Sequence, residues 1–562
     1  TIPFIARYRK EAHGALNDEV LRNLDERLTY LRNLEEKKAS VLASMEELGV
    51  LTDDLKKKME QAQTLAVIED LYRPYRPKRR TRATIAKEKG LEPLANEILL
   101  GQAKGTKEEL AKAFVSPEKG VESTEDALLG AMDILAEHIS DDASFRAQIR
   151  KMTWEKGMLT STVREEGTES VFETYYEFQA KLTKINGHQV LAVNRGENQK
   201  VLSVKIEAPQ EEILSWLYNA MTKGKNETCA AILREATEDA YKRLIAPAIE
   251  RELRTNLTET AEEGAMKVFG QNLKQLLMQP PIAGQTVLGW DPAFRTGCKL
   301  AVIDPFGKVI DTKVIYPTAP HNKVKESKDI LKALIAKYHI TLISVGNGTA
   351  SRESEQIIAD LIKEINAPVR YVITNEAGAS VYSASKQATE EFPNFDVGQR
   401  SAVSIARRVQ DPLAELVKID PKAIGVGQYQ HDMNQKKLDE MLHGTVEDCV
   451  NQVGVDLNTA SAALLEYVSG ITKTIAKNIV IYREENGQFT NRKQLLKVAK
   501  LGPKAYEQCA GFLRIRGGDE PLDATAVHPE SYEAARAVLT SCELKPQDIL
   551  EGKAAGIAKK LQ

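Results

Sequence analysis

The chain has 562 residues, 42% hydrophobic and 28% charged, enough for several buried cores and an expected three to five domains. A formal net charge of −3 excludes a uniformly basic nucleic-acid packer, so any such binding must come from local patches. The cysteines (Cys229, Cys298, Cys449, Cys509 and Cys542) form no C-x-x-C pair and no apolar run approaches the ~18 residues of a membrane helix, which argues against a disulfide framework, a zinc knuckle and a membrane span, and for a reducing cytoplasm.

The first residues carry no initiator Met and no signal-peptide pattern, and read as an internal stretch of a longer chain. From 17 to 48, Leu21, Leu24, Leu28, Leu31, Leu34, Val41, Met45 and Leu48 recur at helical spacing and predict one long amphipathic helix. Thr52 opens a second helix that carries Leu55, Met59, Ala62, Leu65 and Ile68 inward and ends before Pro74. Helical patterns return over 93–151 and 226–278. Between them, 189–193 and 200–206 read as two strands joined by the turn Asn194-Arg195-Gly196-Glu197.

After Pro280-Pro281 the pattern changes to three meander strands, 287–290, 299–303 and 309–316, then a helix over 323–338, a strand at 342–345, a helix at 353–365, a strand at 369–374, and helices at 378–386 and 398–410. This is a mixed α/β domain. Beyond Pro421 the chain is helical, with short helices joined by glycine-containing turns.

The first strand of the α/β block runs into Asp291, which aims a carboxylate out of the sheet. The pattern resembles the RNase H-like superfamily, most closely its YqgF/RuvC branch, in which D-x-G opens the domain; here the triplet is Asp291-Pro292-Ala293. That resemblance places a second carboxylate at Glu376 and a third at Asp411. Converging carboxylates are what a two-metal phosphodiesterase requires. Asp411 precedes Pro412 and LAELV, so it equally reads as a helix cap, and the acids equally read as a vestigial site. The run from Gly346 to Arg352 is either an anion-binding loop or a plain strand-to-helix turn capped by Ser351.

Residues 464–515 resemble a tandem helix-hairpin-helix of the ComEA type. The first hairpin is Ser469-Gly470-Ile471-Thr472 and the second Lys500-Leu501-Gly502-Pro503-Lys504. Glycine in such a turn lets backbone N–H groups approach a phosphate. Each hairpin keeps one glycine, Gly470 or Gly502, while Thr472 and Lys500 replace the other; Lys473, Lys500 and Lys504 add charge. A protein-binding module of the same fold is the other reading. Six cations lie between Arg73 and Arg82, with Arg76, Lys78, Arg79, Arg80 and Arg82 the strongest candidates for phosphate contact; a solvated charged face is the alternative. Arg7-Tyr8-Arg9-Lys10 repeats the theme. No G-x-x-x-x-G-K-[ST] or H-E-x-x-H is present.

Taken in order, TIPFIARYRKE, LYRPYRPKRRTRATIAKEKGLEPLA, VLAVNRGE, GWDPAFRTGCK, GNGTASRE, NEAGASVYSAS and IGVGQYQHD look like the Tex family of bacterial transcription accessory proteins, from residue 2 to about residue 532. The resemblance implies a multidomain, mainly α fold with one α/β RNase H-like (YqgF) domain on an elongated helical scaffold. The expected domains are a helical region over 1–285 with a helix-turn-helix and a small β insertion near 189–206, a YqgF-like domain over 286–415, a connecting segment over 416–457, tandem helix-hairpin-helix units over 458–515, and a second, incomplete unit of that kind over 516–562. The family's C-terminal OB-fold is not expected within this chain. The resemblance further implies sequence-independent binding of RNA and DNA and a link to RNA polymerase. A cytoplasmic monomer with no membrane partner and no cofactor is expected. The competing expectation is a metal-dependent nuclease or junction resolvase holding Mg²⁺ or Mn²⁺ on Asp291, Glu376 and Asp411.

Overall fold

The computed structural model describes residues 1–561. The fold is multidomain and mainly helical, with one five-stranded α/β domain. The chain separates into two compact units, Asn23–Ala265 and a second made of Thr1–Arg22 with Met266–Gln562. No described helix is long and apolar enough to cross a membrane.

In the unit Asn23–Ala265, polar caps decide where helices begin. Thr52, Thr64, Thr81, Thr106, Ser123 and Asp142 each accept a hydrogen bond from the backbone N–H three residues on, which satisfies a donor the first helical turn leaves free. Thr64 therefore splits the single helix expected after Thr52 into Asp53–Glu60 and Leu65–Tyr72, and Leu65, expected inside, is 48% exposed. The long helix Asp18–Glu47 forms as expected, but its apolar repeat is only partly used. Leu34, Val41 and Met45 join Met59, Ala62 and Ile68 in a core, whereas Leu24, Leu28 and Leu31 face solvent.

The β insertion differs from its expectation. Residues 189–193 are not a strand. They lie in the helix Gly187–Asn198, which opens on a capping box between Asn186 and Gln189. The expected turn at Asn194–Glu197 is helical too, and Gly196 sits where a Cβ would come within 2.4 Å of the Leu202 side chain. The sheet is built from β1 (Met158–Val163), β2 (Glu177–Lys181) and β3 (Leu202–Glu207), antiparallel in the order β2-β1-β3. A run such as VLAV suits either period, and the capping box settles it.

In the other unit, β4 (Val287–Asp291), β5 (Cys298–Ile303), β6 (Val309–Ile315), β7 (Leu342–Gly346) and β8 (Arg370–Thr374) form a sheet ordered β6-β5-β4-β7-β8. β5 and β6 pair antiparallel and β4, β7 and β8 pair parallel, the expected RNase H-like arrangement. Trp290, Leu300, Val302 and Val345 face the helices Val324–Tyr338 and Ser351–Glu364 through Leu331, Ile358 and Leu361. Burying side chains of this size contributes about 1.5–3 kcal/mol each. The helix Val397–Gln410 lies on the opposite face, against β4 and β5. It approaches so closely that a Cβ on Gly289 would stand 2.2 Å from the Ala402 carbonyl oxygen.

Further on, β9 (Val455–Asp456) and β10 (Leu513–Arg514) pair in parallel and bracket the helix-hairpin-helix segment. Arg492 ties this segment to the residues after it. Its guanidinium, 1% exposed, donates to the carbonyls of Leu513 (2.8 Å) and Val527 (2.7 Å), to that of Thr525, and to the Tyr532 hydroxyl (2.7 Å). The N-terminal helix Ile2–Tyr8 docks here as well. The Tyr8 ring meets Phe512 and His528 edge-on, its hydroxyl donates to the Ala526 carbonyl at 2.8 Å, and Arg9 pairs with Glu507 (2.6 Å) and Glu530 (2.7 Å). Tyr8 and Arg9, read as a basic phosphate-binding element, are thus engaged in packing.

Candidate nucleic-acid interface

The two hairpins prove to be copies of one turn. Val468 and Val498 accept hydrogen bonds from the N–H groups of Ile471 (3.0 Å) and Leu501 (3.1 Å). Ile471 and Leu501 point inward. Gly470 (φ +78°) and Lys500 (φ +66°) occupy the same left-handed position, and Thr472 and Gly502 the same helix-cap position. Each retained glycine therefore fills a different slot. Gly470 is obligatory, because a Cβ there would lie 2.4 Å from Cβ of Gln508. Gly502 has nothing within 4 Å of that position. Thr472 replaces glycine as a working cap, accepting from the Ile475 N–H at 3.3 Å.

Around the turns Thr472, Lys473, Lys500, Gly502 and Lys504 are exposed, as are Lys477, Lys493 and Lys497. No ion pair engages Lys473, Lys500 or Lys504 among the described residues. Lys500 keeps a left-handed backbone that costs a side-chain-bearing residue about 1–2 kcal/mol.

The basic run in the other unit is arranged differently. Arg73 faces Asp141 at 3.5 Å, Arg76 faces Glu69 at 3.4 Å, Lys78 bridges Glu137 (3.3 Å) and Asp141, and Arg80 meets Glu88 at 2.8 Å. Arg79 and Arg82 are exposed and make no ion pair among the described residues.

The carboxylates are also distributed unequally. Asp291 ends β4, and burial raises its pKa while the Ser401 hydroxyl and Lys299 oppose the shift. Glu376 lies two residues past β8; burial raises its pKa, and the Asp291 charge adds to this, while a hydrogen bond from the Gly348 N–H and the Arg408 charge oppose it. The two carboxylates are near enough for the Asp291 charge to act on Glu376. The loop 346–348, read as an anion site, is where the Glu376 carboxylate sits: a Cβ on Gly346 or Gly348 would come within 2.1 Å or 1.6 Å of its oxygens. Asn347 Oδ1 accepts from the Glu376 N–H at 3.2 Å. Ser351 does not cap the following helix, whose cap residue is Ala350 with φ +63°. Asp411 caps Pro412–Leu416, accepting from the Ala414 N–H at 3.1 Å, and burial raises its pKa too.

Sequence reading missed Arg408. It is 3% exposed in the helix Val397–Gln410, and burial lowers its pKa to about 10. The signal was present: Ser401, Ser404 and Arg408 recur at helical spacing among Ala402, Val403, Ile405, Ala406 and Val409.

Family profiles match most of the chain, in order. They are described as Tex-like protein N-terminal domain over 1–46, Tex central region-like over 102–269, Tex protein YqgF-like domain over 285–410, Helix-hairpin-helix motif over 450–514 and HHH domain over 520–562. "Protein tex" of Bordetella pertussis is 47% identical over 98% of this chain and 71% of its own length. The chain belongs to the Tex family. "Transcriptional accessory protein Tex" of Neisseria gonorrhoeae is 46% identical over 96% of this chain and 71% of its own length. The human "S1 RNA-binding domain-containing protein 1" is 37% identical over 96% of this chain and 60% of its own length. The Tex YqgF-like match ends one residue before Asp411, and the helix-hairpin-helix match spans both turns and closes on β10.

Proposed function

We propose that this Tex-family protein binds RNA and DNA without sequence preference and serves as an accessory scaffold of the transcription machinery. The observation that carries the reading is the pair of equivalent hairpin turns bearing Lys473, Lys500 and Lys504 as exposed cations without carboxylate partners. Charge of this kind neutralises phosphates and releases counterions, and it reads no base edges. The relatives' names, one a transcriptional accessory protein and one an S1 RNA-binding domain-containing protein, support the same direction. RNA polymerase is the proposed protein partner. A nuclease on Asp291, Glu376 and Asp411 is the weaker reading, since the Asp411 carboxylate is engaged in a helix cap.

The test is fluorescence anisotropy with labelled duplex DNA and single-stranded RNA over a salt series. The triple variant K473E/K500E/K504E is expected to lose at least tenfold in affinity, and to flatten the slope of log K against log salt by about 0.9 per lost duplex phosphate contact. Unchanged affinity for both nucleic acids would overturn the hairpin assignment.

A further inference from the structure

The ends of β4, β7 and β8 form the place where an RNase H-like fold holds divalent metal. A metal centre there needs several oxygen ligands converging on one point, and two ions need more. The donor set here falls short of a two-metal centre and leaves only a two-carboxylate seat. Asp291 is near enough for its charge to act on Glu376, but Asp411 is committed to the Ala414 N–H. No group of three or more His, Cys, Asp or Glu among the described residues is arranged to hold a metal ion.

What stands beside Glu376 is a cation belonging to the chain. Arg408 Nη1 donates at 2.8 Å to the carbonyls of both Asn375 and Ala377, the two residues flanking Glu376. The guanidinium therefore grips the main chain on either side of that carboxylate. Its remaining edge, Nε with Nη2, is buried and has no hydrogen-bond partner, and Glu376 Oε2 is buried and has none either. That free edge is the fork a guanidinium presents to a carboxylate. The other acid near Arg408 is Glu415, which is paired with Lys418 at 3.0 Å. A divalent ion seated on the half-buried Asp291 and Glu376 would face this buried positive charge, where repulsion is less screened than in open solvent.

We propose that Arg408 takes the place of the metal ion: its guanidinium is the permanent counter-charge of Glu376, and its grip on the flanking main chain positions that carboxylate over the loop 346–348 in a metal-free domain. The inference is independent of the hairpin reading, since neither relies on the other's residues.

Mn²⁺ titration followed by electron paramagnetic resonance on the full chain tests it, with Arg408→Gln, Arg408→Lys and R408Q/D291N beside the parent. The parent is expected to show no Mn²⁺ site that Asp291→Asn removes. R408Q should gain one, about tenfold or more tighter than anything in the parent once the like charge is gone. R408K, which keeps the charge, should not gain it, and R408Q/D291N should lose it. A purely structural arginine would leave Mn²⁺ binding unmoved in a folded R408Q, and that result overturns the proposal, as does an Asp291-dependent Mn²⁺ site in the parent. If R408Q fails to fold, R408Q/E376Q decides: recovery of cooperative thermal unfolding supports Arg408 as the counter-charge of Glu376, and no recovery overturns it.

Discussion

The segment Arg73–Arg82 and the hairpin lysines look alike as sequence, and differ in what their charges face. In the first, four of six cations already have a carboxylate within reach. In the second, Lys473, Lys500 and Lys504 are exposed around the turns and make no ion pair among the described residues. Density of basic residues therefore says little about binding; the useful quantity is charge left uncompensated by the fold. Exposed ion pairs stabilise by only about 0–1 kcal/mol, so the paired run works as a weak staple and the unpaired lysines are the ones free to meet phosphate.

Several substitutions would break or sharpen that contrast. The largest effect belongs to Arg492, the cation most fully committed to the protein. Arg492→Met strands several buried carbonyls and should cost about 3–5 kcal/mol in denaturant unfolding; near-wild-type stability would show that the arginine is not the tie between the hairpins and the residues after them. Next come two lysines of opposite expected behaviour. Lys504→Ala should weaken RNA binding several-fold with unchanged melting temperature, whereas Lys78→Ala should lower stability by up to about 1 kcal/mol with unchanged binding. If both variants behave alike, the distinction between the two regions collapses. Lys500→Gly tests the strained slot: stability should rise by up to about 1 kcal/mol as the left-handed backbone relaxes, while affinity falls.

The smallest effect concerns pH. Asp291 and Glu376 have folded pKa values raised by burial, so the folded state holds their protons more tightly than the unfolded chain. The stability they contribute is fully present below the ordinary carboxylate range and is lost as pH rises through the raised values. Asp291→Asn should remove part of that loss, so the variant's advantage in melting temperature should be larger at pH 8 than at pH 4. An advantage that shrinks with rising pH would refute the assignment.

The α/β domain was legible because its strands are short apolar runs set between turn residues, and β4 through β8 lie within a residue or two of their expected bounds. The hairpins were legible because a glycine turn before a cap residue has few structural alternatives. The error at 189–193 arose because four aliphatic residues fit a strand or a buried helix equally, and the deciding Asn186–Gln189 capping box lies just ahead of them. Leu24, Leu28 and Leu31 followed a helical period that tertiary packing does not use. Arg408 escaped because its meaning rests on Asn375 and Ala377, some thirty positions away in sequence, and periodicity carries no information about such a contact.

The hydrogen bond from the Tyr8 hydroxyl to the Ala526 carbonyl joins residues 518 positions apart. A ribosome adding roughly 5–20 residues per second needs about half a minute to two minutes to make the chain between them. Throughout that interval Phe4 and Tyr8 lack the surface they finally cover. Docking of the N-terminal helix onto the helix-hairpin-helix region is therefore a late event in the making of the chain.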